Sequence, residues 1–334
     1  MNLNKLKDFI MKKLYVFIAI IMLIGPTNAQ QEAEEILNAI VKVKSTIPSE
    51  ARTARILGTT REGHGVLIDA DGHILTIGYL ILEAASIEVV DRKGKTTRAT
   101  YIGYDHRTGF GILRANEDLG VAPMQIGQSS KIKEGDPVLV AGYGGANAVQ
   151  GVRVVSRGEF AGYWEYLLDN AVYTAPPYSD YGGAALIGPD GKLLGIGSIF
   201  TQKTISGLGI IPCNMFVPID LLRPIFDDLI STGRSRKSPQ PWLGIHVEET
   251  HGRVFVLRLT SGGPAEQAGI KADDIILTVD KKPVEGLADF YRKVWSLGKA
   301  GVDVPLSVLH NIQIRDVVVQ SEDRHQYFNI KTKK

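Results

Sequence analysis

The chain has 334 residues, of which 44% are hydrophobic and 22% charged. That length supports two domains with separate cores, and that composition excludes a disordered chain. With 38 basic against 36 acidic residues the formal net charge is +2; this lacks the strongly basic balance of a nucleic-acid binder, and no nucleic-acid partner is expected.

Lys12 and Lys13 precede the apolar run LYVFIAIIMLI, followed by Gly25, Pro26 and the small residues Thr27 and Ala29. This order of charge, apolar core and small residues predicts a secretory signal peptide over residues 1–29, cleaved after Ala29, and an exported, periplasmic product. Met11 competes with Met1 as the start, because MKKLYVF reads better as the charged opening. The rival reading is a membrane anchor, but the run is about half the roughly 20 apolar residues that a spanning helix needs, so no stable membrane span is expected.

Cys213 is the only cysteine. It can form no intrachain disulfide, and its apolar neighbours in LGIIPCNMFVPID predict a buried small hydrophobe. No cysteine–histidine cluster has metal-ligand spacing and no glycine loop has phosphate-binding form, so neither metal nor cofactor is expected.

Residues 30–38, QQEAEEILN, favour a helix. From Ala39 to about Pro218 short alternating runs are split by turns, as at Asp71-Gly72 and Lys93-Gly94. This pattern predicts an all-β barrel or sandwich. DLLRPIFDDL, residues 220–229, reads as one amphipathic helix. TGRSRKSPQP, residues 232–241, has no apolar period and reads as a linker. From Trp242 to about Thr332 strands mix with a short helix near residues 264–269 and a longer one over residues 287–297, predicting a small α+β domain.

Five segments in order carry a family resemblance. GHGVLIDADGHILT (63–76), YDHRTGFGILRA (104–115), YSDYGGAALIGPDGKLLGI (178–196), FVPIDLLRPIFDDLISTGR (216–234), and PWLGIHV with GPAEQAGIKADDIILTVDKKPV resemble the HtrA/Deg family. The resemblance implies a mainly β chain: a trypsin-like double β-barrel at residues 36–232, a linker at 233–241 and a small α+β PDZ domain at 242–332.

The departures bear on chemistry. The positions that resemble the family's catalytic histidine, aspartate and serine hold Tyr79, Gly109 and Tyr181. Ala184 stands where the family has proline. Serine acyl transfer needs an attacking hydroxyl, an imidazole base and a carboxylate that orients it. A phenol with pKa near 10 cannot replace an imidazole near 6.5 at neutral pH. Gly109 offers no side chain, and the Tyr181 hydroxyl sits on a rigid ring beyond the reach of a serine oxygen. The degenerate triad implies a pseudoprotease, with the tyrosines filling the former cleft. The alternative is an active serine endopeptidase with a relocated site, in which Ser179 pairs with His64 or His106.

The PDZ resemblance implies strand addition and capture of a peptide carboxylate on backbone N–H groups. The capture loop resembles Trp242, Leu243, Gly244 and Ile245, where Gly244 lets the backbone approach closely. The helical stripe Leu287, Phe290, Val294, Leu297 is mostly core, with Phe290 and Val294 the candidates for the groove side. The expected partners are C-terminal peptides or unfolded envelope proteins. Assembly as a homo-oligomer, or mixed with an active paralogue, fits a regulatory or chaperone-like role in envelope protein quality control.

Overall fold

The computed structural model describes residues 28–328; the expected signal peptide lies almost wholly outside them. Helix α1 (Asn28–Asn38) leads into β1 (Ile40–Thr46). With β2 (Thr60–Leu67), β3 (His73–Ile77), β4 (Ser86–Val90), β5 (Thr96–Tyr104) and β6 (Phe110–Ala115) it closes a barrel in the order β1-β2-β3-β6-β5-β4. A single turn of helix, α2 (Ala54–Leu57), sits between β1 and β2. The Asp71-Gly72 turn joins β2 to β3, and Gly72 takes φ +82°, a backbone conformation that a side chain would strain. Val43, Leu75, Phe110 and Leu113 are fully buried inside this barrel.

A second closed barrel follows, in the order β10-β11-β12-β9-β8-β7. Its strands are β7 (Pro137–Ala141), β8 (Val149–Gly162), β9 (Tyr166–Ala175), β10 (Ala185–Ile187), β11 (Leu193–Ile205) and β12 (Gly209–Pro218). Val140, Val172, Leu186 and Phe216 fill it. Closure leaves neither barrel with a free edge. Cys213 is fully buried on β12.

The helix expected over residues 220–229 is interrupted. Ile219–Leu221 make one 3-10 turn, and α3 (Phe226–Thr232) starts only after Pro224. Proline has no N–H for the helical ladder and its ring crowds the preceding turn, so the apolar pattern spans two elements. The segment after Gly233 is irregular yet held to both sides. Arg107 donates to the Ser238 carbonyl at 2.8 Å, the Ala300 N–H to Pro239 at 2.9 Å, and Arg234 pairs with Asp323 at 2.9 Å.

The C-terminal unit is a six-stranded sheet with two open edges. Strands β13 (Ile245–Thr250), β14 (Arg253–Leu259), β15 (Ile275–Val279), β17 (Asp303–His310) and β18 (Gln313–Gln320) run in the order β13-β14-β15-β17-β18, and β16 (Lys282–Pro283) pairs with β15. Helices α4 (Pro264–Gln267) and α5 (Leu287–Ser296) pack on it, and α6 (Arg324–Tyr327) closes the described chain. Its core holds Leu243, Val247, Ile276, Phe290, Val294 and Leu306. The mainly β, double-barrel-plus-α+β expectation is met. No helix among the described residues is long and apolar enough to cross a membrane.

Candidate functional site

Tyr79 lies on the 3-10 turn Gly78–Leu80 that follows β3. Arg61, only 4% exposed, pins that turn. Its Nη1 donates to the carbonyls of Tyr79 (2.8 Å) and Leu82 (2.9 Å), its Nη2 to Thr53 Oγ1 (2.8 Å), and its Nε to Gly58 (3.2 Å). Burial lowers the guanidinium to about 10, still charged at neutral pH. The Tyr79 hydroxyl donates across the seam between the barrels to the Ser198 carbonyl at 3.0 Å. Burial pushes this phenol well above its ordinary range, and the neighbouring Tyr181 and Asp180 push it further.

Gly109 closes a tight turn, its N–H donating to the Asp105 carbonyl at 2.8 Å and its own carbonyl accepting from the Gly78 N–H at 2.7 Å. Its φ is +79°, and a β-carbon there would meet the Tyr166 hydroxyl at 3.3 Å. The nearby Asp105 carboxylate is engaged by the Thr108 N–H (2.8 Å) and hydroxyl (2.9 Å). Tyr181 is half-buried, and its carbonyl accepts from Ala184 at 3.0 Å. The Gly182 carbonyl accepts from the His64 N–H at 2.8 Å. Gly183 must be glycine, because at φ +78° a β-carbon would sit 2.0 Å from the His64 carbonyl. The three positions thus gather at the seam, but they carry two phenols and a bare backbone.

Ser179 is exposed and has no hydrogen bond to either histidine. The His64 Nδ1 accepts from the Tyr143 N–H at 2.9 Å, so the proton of the neutral ring sits on Nε2. That nitrogen lies 3.0 Å from Asp180 Oδ2, in a contact too poorly aligned for a directed hydrogen bond. Burial lowers the His64 pKa more than Asp180 raises it. The Nδ1 lone pair is therefore occupied and Nε2 is protonated, which leaves the ring no free base for Ser179. His106 lies elsewhere, between Tyr104, His325 and Phe328. It lines a cavity of about 60 Å³ between the β5–β6 turn of the first barrel, the linker and the C-terminal unit, and burial drives its pKa well below the ordinary value.

Among the described residues, one cluster offers three potential metal ligands: Asp69, Asp71 and His73. Asp69 is already engaged there, by the N–H groups of Asp71 (3.1 Å) and His73 (3.0 Å) and by the His73 ring (2.7 Å). This is the bonding of a β-turn.

The expected capture loop has a second, independent geometry. The Glu165 carboxylate, at the tip of the β8–β9 hairpin, accepts three backbone N–H groups: Leu243 at 2.9 Å, Gly244 at 2.7 Å and Ile245 at 3.0 Å. Gly244 holds φ +75°, which turns these amides toward one point. Two residues before Glu165, the Tyr163 carbonyl accepts the Val247 N–H at 2.9 Å, on the free edge of β13. Tyr291 of α5 donates to the Gly162 carbonyl at 2.7 Å and accepts from the Glu165 N–H at 3.1 Å. Arg292 pairs with Glu159 and Asp169 on the two hairpin strands. Burial pushes the Glu165 carboxyl up to about 7, against the opposing pull of the three amides and Arg324.

Trp242 packs on Tyr327 and Phe328 beside the loop. Phe290 and Val294, the expected groove residues, are fully buried in the core of the unit, and the α5 residues that touch the hairpin tip and its strands are Tyr291 and Arg292. Sequence reasoning missed Glu165, Tyr291, Arg61 and Tyr143. The only sequence signal for Glu165 is a single acid among the aromatics of YWEY.

Residues 63–196 match the trypsin-like peptidase domain and residues 241–320 the PDZ domain. The serine protease Do-like HtrA of Bacillus subtilis is 24% identical over 320 residues, covering 86% of this chain and 68% of that protein. A probable periplasmic serine endoprotease DegP-like of Halomonas elongata is 27% identical, covering 78% of this chain and 56% of its own length. Serine protease PepD of Mycobacterium tuberculosis is 26% identical, covering 78% and 58%. The chain spans little more than half the length of the last two. In fold, it is similar to the HtrA-type protease AlgW with decapeptide (TM-score 0.51, 22% identity, 88% of this chain and 98% of that one). The serine endoprotease from Yersinia pestis is similar as well (TM-score 0.50, 24% identity, 90% and 99%).

Proposed function

From a trypsin-like peptidase domain followed by a PDZ domain, homologous to HtrA and DegP proteases, we propose an exported protein that has given up proteolysis and acts by binding. The observation that carries this reading is the seam itself. On this reading, the positions that would carry the imidazole, carboxylate and hydroxyl of acyl transfer hold Tyr79, Gly109 and Tyr181. Tyr79 spends its hydroxyl on the Ser198 carbonyl. The barrels act as a scaffold and the PDZ unit as a reader of C-terminal peptides or unfolded envelope proteins. Periplasmic placement is supported by the signal-like N-terminus and by the periplasmic endoproteases among the relatives. Quality control follows as a holding function, or as regulation through a homo-oligomer or a mixed assembly with an active paralogue.

The rival reading, an active endopeptidase with a relocated site at Ser179, has the printed names of the relatives in its favour. Against it stands the His64 ring, whose acceptor nitrogen is taken by Tyr143. Casein turnover and fluorophosphonate labelling of the mature protein test the choice. Neither cleavage nor labelling is expected. Stoichiometric labelling of Ser179, lost in Ser179→Ala, would overturn the pseudoprotease.

A further inference from the structure

An extended peptide that binds by strand addition presents two things to a sheet edge. Its terminal carboxylate needs a nest of N–H donors, and a backbone carbonyl further back needs a donor on the edge strand. Both sets of donors exist here, and both are engaged from within the chain. The amides of Leu243, Gly244 and Ile245 converge on one carboxylate, that of Glu165. The Val247 N–H on the free edge of β13 takes the Tyr163 carbonyl, two residues earlier in the hairpin. Tyr291 clamps the tip from the helix side through both the Gly162 carbonyl and the Glu165 N–H. Glu165 itself is only 6% exposed, so solvent does not share this carboxylate.

We propose that Glu165 is an internal ligand of the PDZ loop, standing in for a peptide C-terminus, so that a peptide with a free terminal carboxylate enters only by displacing the β8–β9 tip. This rests on the reading of residues 242–332 as a peptide reader and adds how that reader is held closed. The two carboxylates compete for the same three amides, so the loop accepts one at a time. The apparent affinity for peptide is the intrinsic affinity reduced by the fraction of molecules whose loop is free. Occupancy also reports across the molecule. The displaced hairpin belongs to the second barrel, so peptide binding and release of that hairpin tip from the C-terminal unit are one event.

The test uses the full mature chain and its Glu165→Ala and Glu165→Gln variants. The probe is a fluorescein-labelled decapeptide ending in valine, as free acid and as C-terminal amide. Glu165→Ala is expected to bind the free acid about tenfold tighter or more than the wild type, with Glu165→Gln between them and no gain for the amide. Hydrogen exchange at the amides of residues 243–245 reads the latch without any peptide. These amides are expected to be protected in the wild type and to exchange about tenfold faster in Glu165→Ala, with barrel amides unchanged as the folding control. Unchanged exchange at the loop overturns the internal ligand outright. Free acid bound equally by wild type and Glu165→Ala also overturns it, while leaving the peptide-reader reading in place. Faster exchange with no peptide bound by any of the three proteins overturns the reader, and with it the competition.

Discussion

The hydroxyl of Tyr79 donates to the carbonyl of Ser198 at 3.0 Å, joining the turn after β3 of the first barrel to β11 of the second. It has company across the seam. The His64 N–H reaches the Gly182 carbonyl, the Tyr143 N–H reaches His64 Nδ1, and the Tyr143 hydroxyl reaches the Asp91 carbonyl at 3.0 Å. Tyr79 thus serves as a strut between the barrels.

Tyr79→Phe removes only the hydroxyl. The expected loss is about 1 kcal/mol, because the Ser198 carbonyl is left without its partner in a partly buried seam. Urea unfolding of the mature protein reads it as a lower midpoint at unchanged slope. An unchanged midpoint means that the seam does not depend on this bond.

Placing the serine-protease letters at residues 79, 109 and 181 is not expected to yield cleavage. Tyr181→Ser alone leaves no base, and once one triad member is missing the others contribute little. The triple change Tyr79→His, Gly109→Asp, Tyr181→Ser meets a backbone obstacle. Gly109 sits at φ +79° with the Tyr166 hydroxyl 3.3 Å from any β-carbon. An aspartate there is expected to cost about 1–2 kcal/mol of stability. Casein turnover by the triple variant above that of the parent, at parental stability, would contradict this.

Arg61→Met should be among the most damaging single changes in the first barrel. It removes four hydrogen bonds from a side chain that is 4% exposed, leaving the carbonyls of Tyr79 and Leu82 to find other donors. A loss of about 3 kcal/mol is expected, together with faster hydrogen exchange around residues 78–82. A loss under about 1 kcal/mol would mean that the turn carrying Tyr79 is held by other contacts.

Docking of the two units should weaken as pH rises. Burial holds the Glu165 carboxyl up near 7, against 4.5 for a free glutamate. A group whose pKa is raised in the folded state contributes fully below its unfolded value and loses that contribution as pH climbs through its folded value. The window is therefore about pH 4.5 to 7. The three histidines near the interface stay quiet within it. Burial lowers His246 and His325 to about 4, and His106 lies well below its usual range, so all three are neutral throughout. Burial pushes the Tyr291 phenol far above the window. Protection factors at residues 243–245 should fall between pH 5 and 8 in the wild type and stay flat in Glu165→Gln. A wild-type profile as flat as that of the variant would sink the assignment.

Composition, strand-length alternation and turn residues were enough to read two units and a mainly β fold. They act locally, and Asp71-Gly72 makes the same turn wherever two alternating runs flank it. The identities of Tyr79, Gly109 and Tyr181 are also plain in the sequence, because which side chain a position carries is a matter of letters. Pro224 was visible too, but the apolar pattern on either side of it masked the break that its missing N–H imposes. What Tyr79 does with its hydroxyl depends on Ser198, which is 119 positions away. Why His64 offers no base depends on an amide 79 positions away. The bond from Gly244 to Glu165 spans 79 positions as well. No period or propensity links such pairs. Only the closure of both barrels and the docking of the third sheet onto a hairpin tip bring them within hydrogen-bond reach, and that is why the carboxylate held by the PDZ loop could be identified only in the folded molecule.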